Sequence, residues 1–294
     1  MTSKLPDLQL KTESRRRLMP EGSSFSLDLQ DGHGFLHEDL AYSLSHIDAV
    51  FDEPVSVILA PPGYGKSHEA KQAWTHLSNH QSIFAEYIHE TSFEKGGAKE
   101  AVTPGWWPRW SQDASARACW IVDAVDEDPR ASQTFAILKQ VGTLKPADRN
   151  RLSLVMFCRE NEFLRSIRKE LTEIYAPDPK GSIVRLLAPI TEDIARVIAG
   201  GEDALQRVRE IIRLNRLQQV ARFPAVIRCL ARLPAQARIT TPEVWRTVLT
   251  MMLIDDRRAA AEALNRPDEK DCFFAASRLA ACLALSGTAE IQTS

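Results

Sequence analysis

Residues 60–67, Ala60-Pro61-Pro62-Gly63-Tyr64-Gly65-Lys66-Ser67, follow directly on the apolar run Val55-Ser56-Val57-Ile58-Leu59. The stretch departs by one residue from the pattern GxxxxGK[ST], with Ala60 where the pattern has glycine. A loop that cradles phosphate turns backbone N–H groups inward, which calls for glycine wherever the chain takes positive φ or approaches the anion closely. Gly63 and Gly65 meet that need. The first position of the pattern only ends a strand, where a small extended residue such as Ala60 serves. Lys66 would then reach the β- and γ-phosphates and Ser67 would hold Mg²⁺, while a helix beginning at Lys66 turns its positive end toward them. A strand before the loop and the helical stretch Lys66-Ser67-His68-Glu69-Ala70 after it are the setting this mechanism requires. Pro62, Gly63, Tyr64, Gly65, Lys66, Ser67 and His68 are the expected nucleotide-binding residues.

Composition bounds the alternatives. The chain has 294 residues and a formal net charge of −2, so it can bury a sizeable core and carries no global field toward nucleic acid or membrane. Its five cysteines form no CxxC pair and sit mostly in apolar runs, a pattern of reduced core thiols that fits a cytoplasmic protein. No run approaches the roughly 20 apolar residues of a membrane span, and residues 1–20 lack the apolar centre of a secretion signal.

The chain divides by pattern. Residues 1–50 are largely polar and read as an arm followed by a helix, with apolar spacing at Leu40, Leu44 and Ile47. From 51 to 190, five short apolar segments at residues 55–60, 83–88, 118–125, 152–158 and 182–188 alternate with amphipathic stretches. That alternation predicts a parallel sheet covered on both faces. After Pro189 the pattern turns wholly helical, beginning at Thr191, a suitable N-cap. Residues 191–240 read as a small helical lid. Residues 241–294 read as the start of a further helical region that is cut short.

A phosphate loop needs an acidic partner ending a neighbouring strand. Residues 119–128, Cys119-Trp120-Ile121-Val122-Asp123-Ala124-Val125-Asp126-Glu127-Asp128, supply it. Asp123 at the strand edge is the expected Mg²⁺ residue, and Asp126 or Glu127 the residue that orients the attacking water.

Taken together, these segments resemble the NACHT clade of STAND-type P-loop ATPases, which belong to the ASCE group of α/β P-loop folds. The family's acidic strand ends in four apolar residues, Asp, a small residue, an apolar residue and Asp-Glu, which Trp120 to Glu127 match from the second apolar position onward. Residues 151–161 resemble its sensor strand, with Arg159 in the arginine position. Residues 183–198 resemble its fifth strand and the Pro-Leu-Thr start of its helical part. Residues 217–233 resemble the turn whose proline packs on adenine, here Pro224. The departures are Ala60, and Cys158 where many members have serine. The resemblance implies an α/β nucleotide-binding domain, a helical lid and the start of a winged-helix-like region. It also implies ATP or ADP with Mg²⁺, slow hydrolysis, Arg159 sensing the γ-phosphate, and self-association in the ATP state. The setting would be signalling or antiphage defence, triggered by an activating ligand or protein that the sequence leaves unspecified. Such ATPases hold ADP with a winged-helix histidine, yet all seven histidines lie within the first 89 residues. Either that histidine lies past Ser294 or this chain is switched differently.

Three stretches carry competing readings. His33/His37 and His76/His80 have i,i+4 spacing but no third ligand in register, as on a solvated helix surface. Residues 103–110 pack three tryptophans, which serve either as a docking knob or as a cover for the sheet edge. Residues 205–238 carry eight arginines and one glutamate. Read as a nucleic-acid surface, they point to a DNA-associated AAA-type ATPase, a loader or transposition helper; a nucleotide-locked scaffold without turnover is a separate third reading. Read as a solvated lid face, with Arg209, Arg213 and Arg216 recurring at helical spacing away from Val208, Ile211 and Ile212, they favour the switch.

Overall fold

Leu152-Ser153-Leu154-Val155-Met156-Phe157-Cys158 is buried along its whole length, and its alternate side chains enter different cores. Leu154 and Met156 join one apolar cluster, Val155 and Phe157 another. A period of two with both faces apolar is the signature of a central strand in a sheet covered by helices. The computed structural model describes residues 16–20, 32–36, 41, 44–61, 63–80, 83–89, 104–125, 132–159, 165–175 and 184–259.

The strands are β1 (Arg17–Pro20), β2 (Ser45–His46), β3 (Val55–Leu59), β4 (Ile83–His89), β5 (Arg117–Asp123), β6 (Leu152–Cys158) and β7 (Val184–Leu187). The helices are α1 (Lys66–Ser78), α2 (Trp107–Gln112), α3 (Ser132–Gly142), α4 (Pro146–Arg149), α5 (Arg165–Tyr175), α6 (Glu192–Ala199), α7 (Glu202–Asn215), α8 (Gln218–Ala221), α9 (Pro224–Leu230) and α10 (Thr241–Ala259). The sheet order is β2-β1-β7-β3-β6-β5-β4. From β7 through β4 every pairing is parallel, and all five strands expected from the sequence are present. Side chains of α2, α3 and α5 (Trp110, Ile137, Leu171) pack on one face, and those of α1 (Ala70, Ala73, Leu77) on the other.

The N-terminal reading needs correction. Where an arm is expected, Arg17–Pro20 forms an antiparallel strand on β7, with Leu18 and Met19 each 2% exposed. Where a helix is expected through Leu44 and Ile47, Ser45–His46 pairs with β1 and Ile47–Asp52 is a 3-10 turn. The cause is backbone pairing: His46 is extended and the Ile47 N–H donates to the Arg16 carbonyl at 3.0 Å. A ladder contact with a distant strand overrides a weak helical spacing.

The tryptophan-rich stretch covers the sheet. Trp110 is fully buried beneath the Arg151 guanidinium, 4.7 Å from its ring centroid. Trp107 stacks on Trp120 of β5 at 5.2 Å, and Trp106 stacks on Phe84 of the edge strand β4 at 5.7 Å.

Beyond β7 the described chain is helical. The Thr191 hydroxyl accepts from the Ile194 N–H at 3.4 Å and caps α6, as expected. Helices α6 to α10 enclose a separate cluster that includes Leu205, Val208, Ile211, Ile212, Val226 and Val244. Phe35, from the N-terminal part of the chain, is fully buried in that same cluster, and the Leu36 N–H donates to the Ile190 carbonyl at 2.8 Å. This helical cluster is thus completed by a residue of the stretch 1–50, where an arm and a helix are expected. The winged-helix-like region expected after residue 241 is described only through α10, and its remainder lies outside the described residues. Phe35→Ala is expected to lower stability by about 3–5 kcal/mol, the range for emptying a buried phenylalanine site. A denaturant midpoint that shifts to lower concentration with unchanged slope checks it.

Candidate functional site

The turn out of β3 is built by two glycines with left-handed backbones. Gly63 has φ 74° and Gly65 has φ 91°, values that cost an L side chain about 1 kcal/mol or more. The Ala60 N–H still belongs to the sheet, donating to the Cys158 carbonyl at 3.2 Å. The Tyr64 N–H donates to the Pro61 carbonyl at 3.3 Å, closing the loop, and the Glu69 N–H donates to the Gly65 carbonyl at 3.1 Å, opening α1. Gly65 is therefore the N-cap and Lys66 the first helical residue, as the sequence predicts. The Lys66 ammonium folds back over the loop and donates to the carbonyls of Ala60 at 2.9 Å and Pro61 at 3.2 Å. Ser67 and His68 are exposed in the first turn. Tyr64 contributes its backbone alone, because its ring is fully buried in the core beneath the loop. Burial pushes its phenol up to about 12, so it stays neutral at physiological pH.

Asp123 ends β5 and is 1% exposed. Its Oδ1 accepts from the Ala124 N–H at 2.9 Å and its Oδ2 from the Tyr87 hydroxyl at 2.9 Å. Tyr87 lies on β4 in register with Ile121, two residues before the pair His89 and Asp123, so period-two geometry places it on the same face as the carboxylate. Ala124 carries φ 59°, a left-handed conformation rare outside glycine and asparagine, and the Val125 N–H donates to the Phe157 carbonyl at 3.2 Å. The sheet order inserts β6 between β3 and β5. The loop, Arg159 after β6 and Asp123 therefore share one carboxyl edge, with Arg159 between the other two. Pro62, Asp126 and Glu127 lie outside the described residues.

The lid meets the loop from above. A β-carbon built on Gly65 would lie 3.5 Å from Pro224 Cγ, and one on Gly63 would lie 3.5 Å from Phe223 Cδ1. The structure thus brings Pro224, the first residue of α9, to the loop. Phe223 also meets the Tyr64 ring edge-on at 5.7 Å and the Trp245 ring at 5.2 Å. Sequence reasoning missed Phe223, Tyr87 and Arg16, which touches the loop from below. Tyr87 had a findable signal, since it alternates with His89 toward the strand end.

The arginine-rich stretch is divided. Arg209 pairs with Glu192 and stands 3.8 Å from Glu202, and Arg196 binds Glu202 at 2.5 Å and Asp193 at 2.6 Å. Arg207, Arg213, Arg216, Arg228, Arg232 and Arg238 are exposed, while Val208, Ile211 and Ile212 are fully buried. The apolar face expected for α7 is present, whereas of the expected polar face Arg213 is exposed on the helix, Arg209 is half-buried in its ion pairs, and Arg216 caps the helix with a left-handed backbone.

Among the described residues, no group of three His, Cys, Asp or Glu side chains surrounds a metal position, and no helix is long and apolar enough to cross a membrane. Ser67 and Asp123 offer hard oxygen donors at one sheet edge, a sparse set of the kind Mg²⁺ accepts while keeping several waters.

No family model matches the chain. No curated protein matches it. Among solved structures it is similar to PCH-2 of C. elegans, at 13% identity and a TM-score of 0.38 over 70% of this chain and 62% of that one. It is similar to Cdc6p of Pyrobaculum aerophilum, at 15% and 0.39 over 70% and 64%. It is also similar to domain III of the replication initiation protein DnaA of Thermotoga maritima, at 14% and 0.36 over 78% and 97%. The chain spans less than two thirds of the PCH-2 and Cdc6p chains it matches.

The left-handed Ala124 gives a test of the site's backbone. Ala124→Gly is expected to be neutral or stabilising, whereas Ala124→Val is expected to cost about 1–3 kcal/mol, because a β-branched side chain resists positive φ. Urea unfolding of both variants checks the sign of each change.

Proposed function

We propose that this chain is an ATP-binding molecular switch of slow turnover, in which the state of the nucleotide sets the helical lid. One observation carries the reading: two positive-φ glycines join a strand buried on both faces to a helix that starts at Lys66, with Asp123 at the same sheet edge. Backbone amides and a helix N-terminus converge where an anion belongs, and Lys66 adds a point charge to them. Ser67 and Asp123 would hold Mg²⁺, which when bound neutralises charge between the β- and γ-phosphates. Asp126 or Glu127 orients the attacking water, Asp126 being favoured for turnover. Arg159 senses the γ-phosphate, and Pro224 closes over the base. The finer reading, a NACHT-type switch that self-associates in its ATP form for signalling or defence, rests on the sequence resemblance and on the lid's contact with the loop.

Lys66→Ala is the direct test. Wild type is expected to melt several degrees higher with ATP and Mg²⁺, by mass action on the folded state, and the variant is expected to show no rise. Equal rises in both would sink the phosphate-loop assignment. Asp126→Asn is expected to bind nucleotide and hydrolyse it more slowly, while Asp123→Asn weakens Mg²⁺-dependent binding. Normal turnover in Asp126→Asn would move the water-orienting role to Glu127.

The six exposed arginines keep a DNA-associated ATPase as the second reading. Binding to phosphates falls with salt, with a slope near 0.9 per phosphate contacted. The switch reading expects no DNA affinity tighter than about micromolar at physiological salt, within the range of non-specific binding. A steep sub-micromolar curve, abolished by replacing Arg207, Arg213 and Arg216, would favour the DNA machine.

A further inference from the structure

We infer that Arg16 is a positioning residue of the phosphate loop, so that the N-terminal edge of the sheet forms part of the nucleotide site. The inference rests on the nucleotide reading above and adds a residue that neither the loop pattern nor the family resemblance assigns.

Arg16 immediately precedes β1 and is 1% exposed. Its Nη1 donates to the Tyr64 carbonyl at 3.1 Å, inside the loop. Its Nη2 donates to the Ala188 carbonyl at 2.5 Å, just past β7 where the chain leaves the sheet for the lid. The same Nη1 lies 3.9 Å from the β-carbon position of Gly65, and the guanidinium carbon stands 5.3 Å from the Tyr64 ring centroid. Nε is buried and makes no hydrogen bond among the described residues. Burial holds the Arg16 pKa below its ordinary value, while the Glu69 charge acts in the opposite sense.

Two physical arguments give this arrangement a role. The Tyr64 carbonyl and the Gly65 N–H belong to one planar trans peptide, so they point in opposite directions. A guanidinium that fixes the carbonyl therefore also aims the Gly65 N–H away from itself. That is the orientation a loop needs if its amides are to face an anion. The second argument concerns charge. Enclosing a guanidinium costs several kcal/mol after relaxation, and an apolar side chain would fill the same space without that cost. The buried Glu69 carboxylate offsets part of that cost, and a polyanion held by the loop would offset more of it. Arginine is also the one side chain whose rigid planar fork can hold two carbonyls from different segments at once. Lysine carries its three donors on one point at the end of a flexible stem, so it lacks the fork spacing that spans carbonyls of two separate segments.

The test uses the full chain with Arg16→Lys and Arg16→Met, beside wild type and Lys66→Ala. Affinity for a fluorescent ATP analogue with Mg²⁺ is measured at a temperature where circular dichroism shows each variant folded. Arg16→Lys is expected to weaken binding about tenfold or more, the loss that follows from breaking one charge-assisted hydrogen bond, and Arg16→Met to weaken it further. Wild-type affinity in a folded Arg16→Lys protein would show that Arg16 serves the fold alone and overturn the inference, leaving the nucleotide reading intact. Absence of binding by wild type would overturn the nucleotide reading and the inference with it. A second measurement needs no substitution. Hydrogen exchange in the segment 16–20 of wild type is expected to slow when ATP and Mg²⁺ are added, and unchanged exchange there, with slowing at residues 63–69, would count against the coupling.

Discussion

Every side chain of β6 is buried, and alternate ones enter opposite cores. A strand enclosed in this way can present polar groups only at its ends, because a buried polar side chain without a partner costs about 1–3 kcal/mol or more. The same holds for β3, whose five residues are all buried, and largely for β5. Chemistry is thereby pushed to the carboxyl edge, where β3 runs into the loop, β6 into Arg159 and β5 into Asp123. Parallel pairing makes the three ends coincide. The site follows from the topology, and the topology from continuous apolar strands that cannot face water on either side.

Asp123 shows what it takes to keep a charge at the boundary of such a core. At 1% exposure its carboxylate is stabilised by the Ala124 N–H and the Tyr87 hydroxyl. The first of these bonds accompanies the left-handed turn at Ala124, so backbone strain and side-chain satisfaction are one feature. A carboxylate with two oxygens has room for about four hydrogen-bond or metal contacts, and two are used among the described residues.

How much of this was legible follows from where each signal sits. The strand–loop–helix unit was readable because glycine spacing and apolar runs are local, and the same is true of the Asp123 strand and the Thr191 cap. The N-terminal segment was not. Arg16 and Arg17 look alike in the sequence, and only tertiary pairing of β1 with β7 decides that Arg16 is the more enclosed of the two. Phe35 and Leu36 read as a short apolar pair in a polar stretch, and the partners of Phe35 lie near residues 190–250. Phe223 was hidden by its neighbour, because the proline pattern directed the reading to Pro224.

The contacts around the loop form two continuous routes out of it. Above, Tyr64, Phe223 and Trp245 meet ring to ring, edge-on at the first junction and steeply inclined at the second, in the geometry that aromatic quadrupoles favour. Below, Arg16 bridges the Tyr64 carbonyl to the sheet–lid junction at Ala188. Tyr64 belongs to both routes, through its ring and through its carbonyl. A shift of the loop peptide would disturb a buried aromatic contact in the lid and a charge-assisted bond at the junction together. Cores packed to crystal density do not deform continuously, so two such contacts anchored to one residue tie the loop to the helical part and to the sheet together. A loop that only held phosphate would not need its middle residue fully buried. Here that residue is a tyrosine buried in the same cluster as Leu18 of β1 and Phe223 of the helical part, so the loop is tied to both elements.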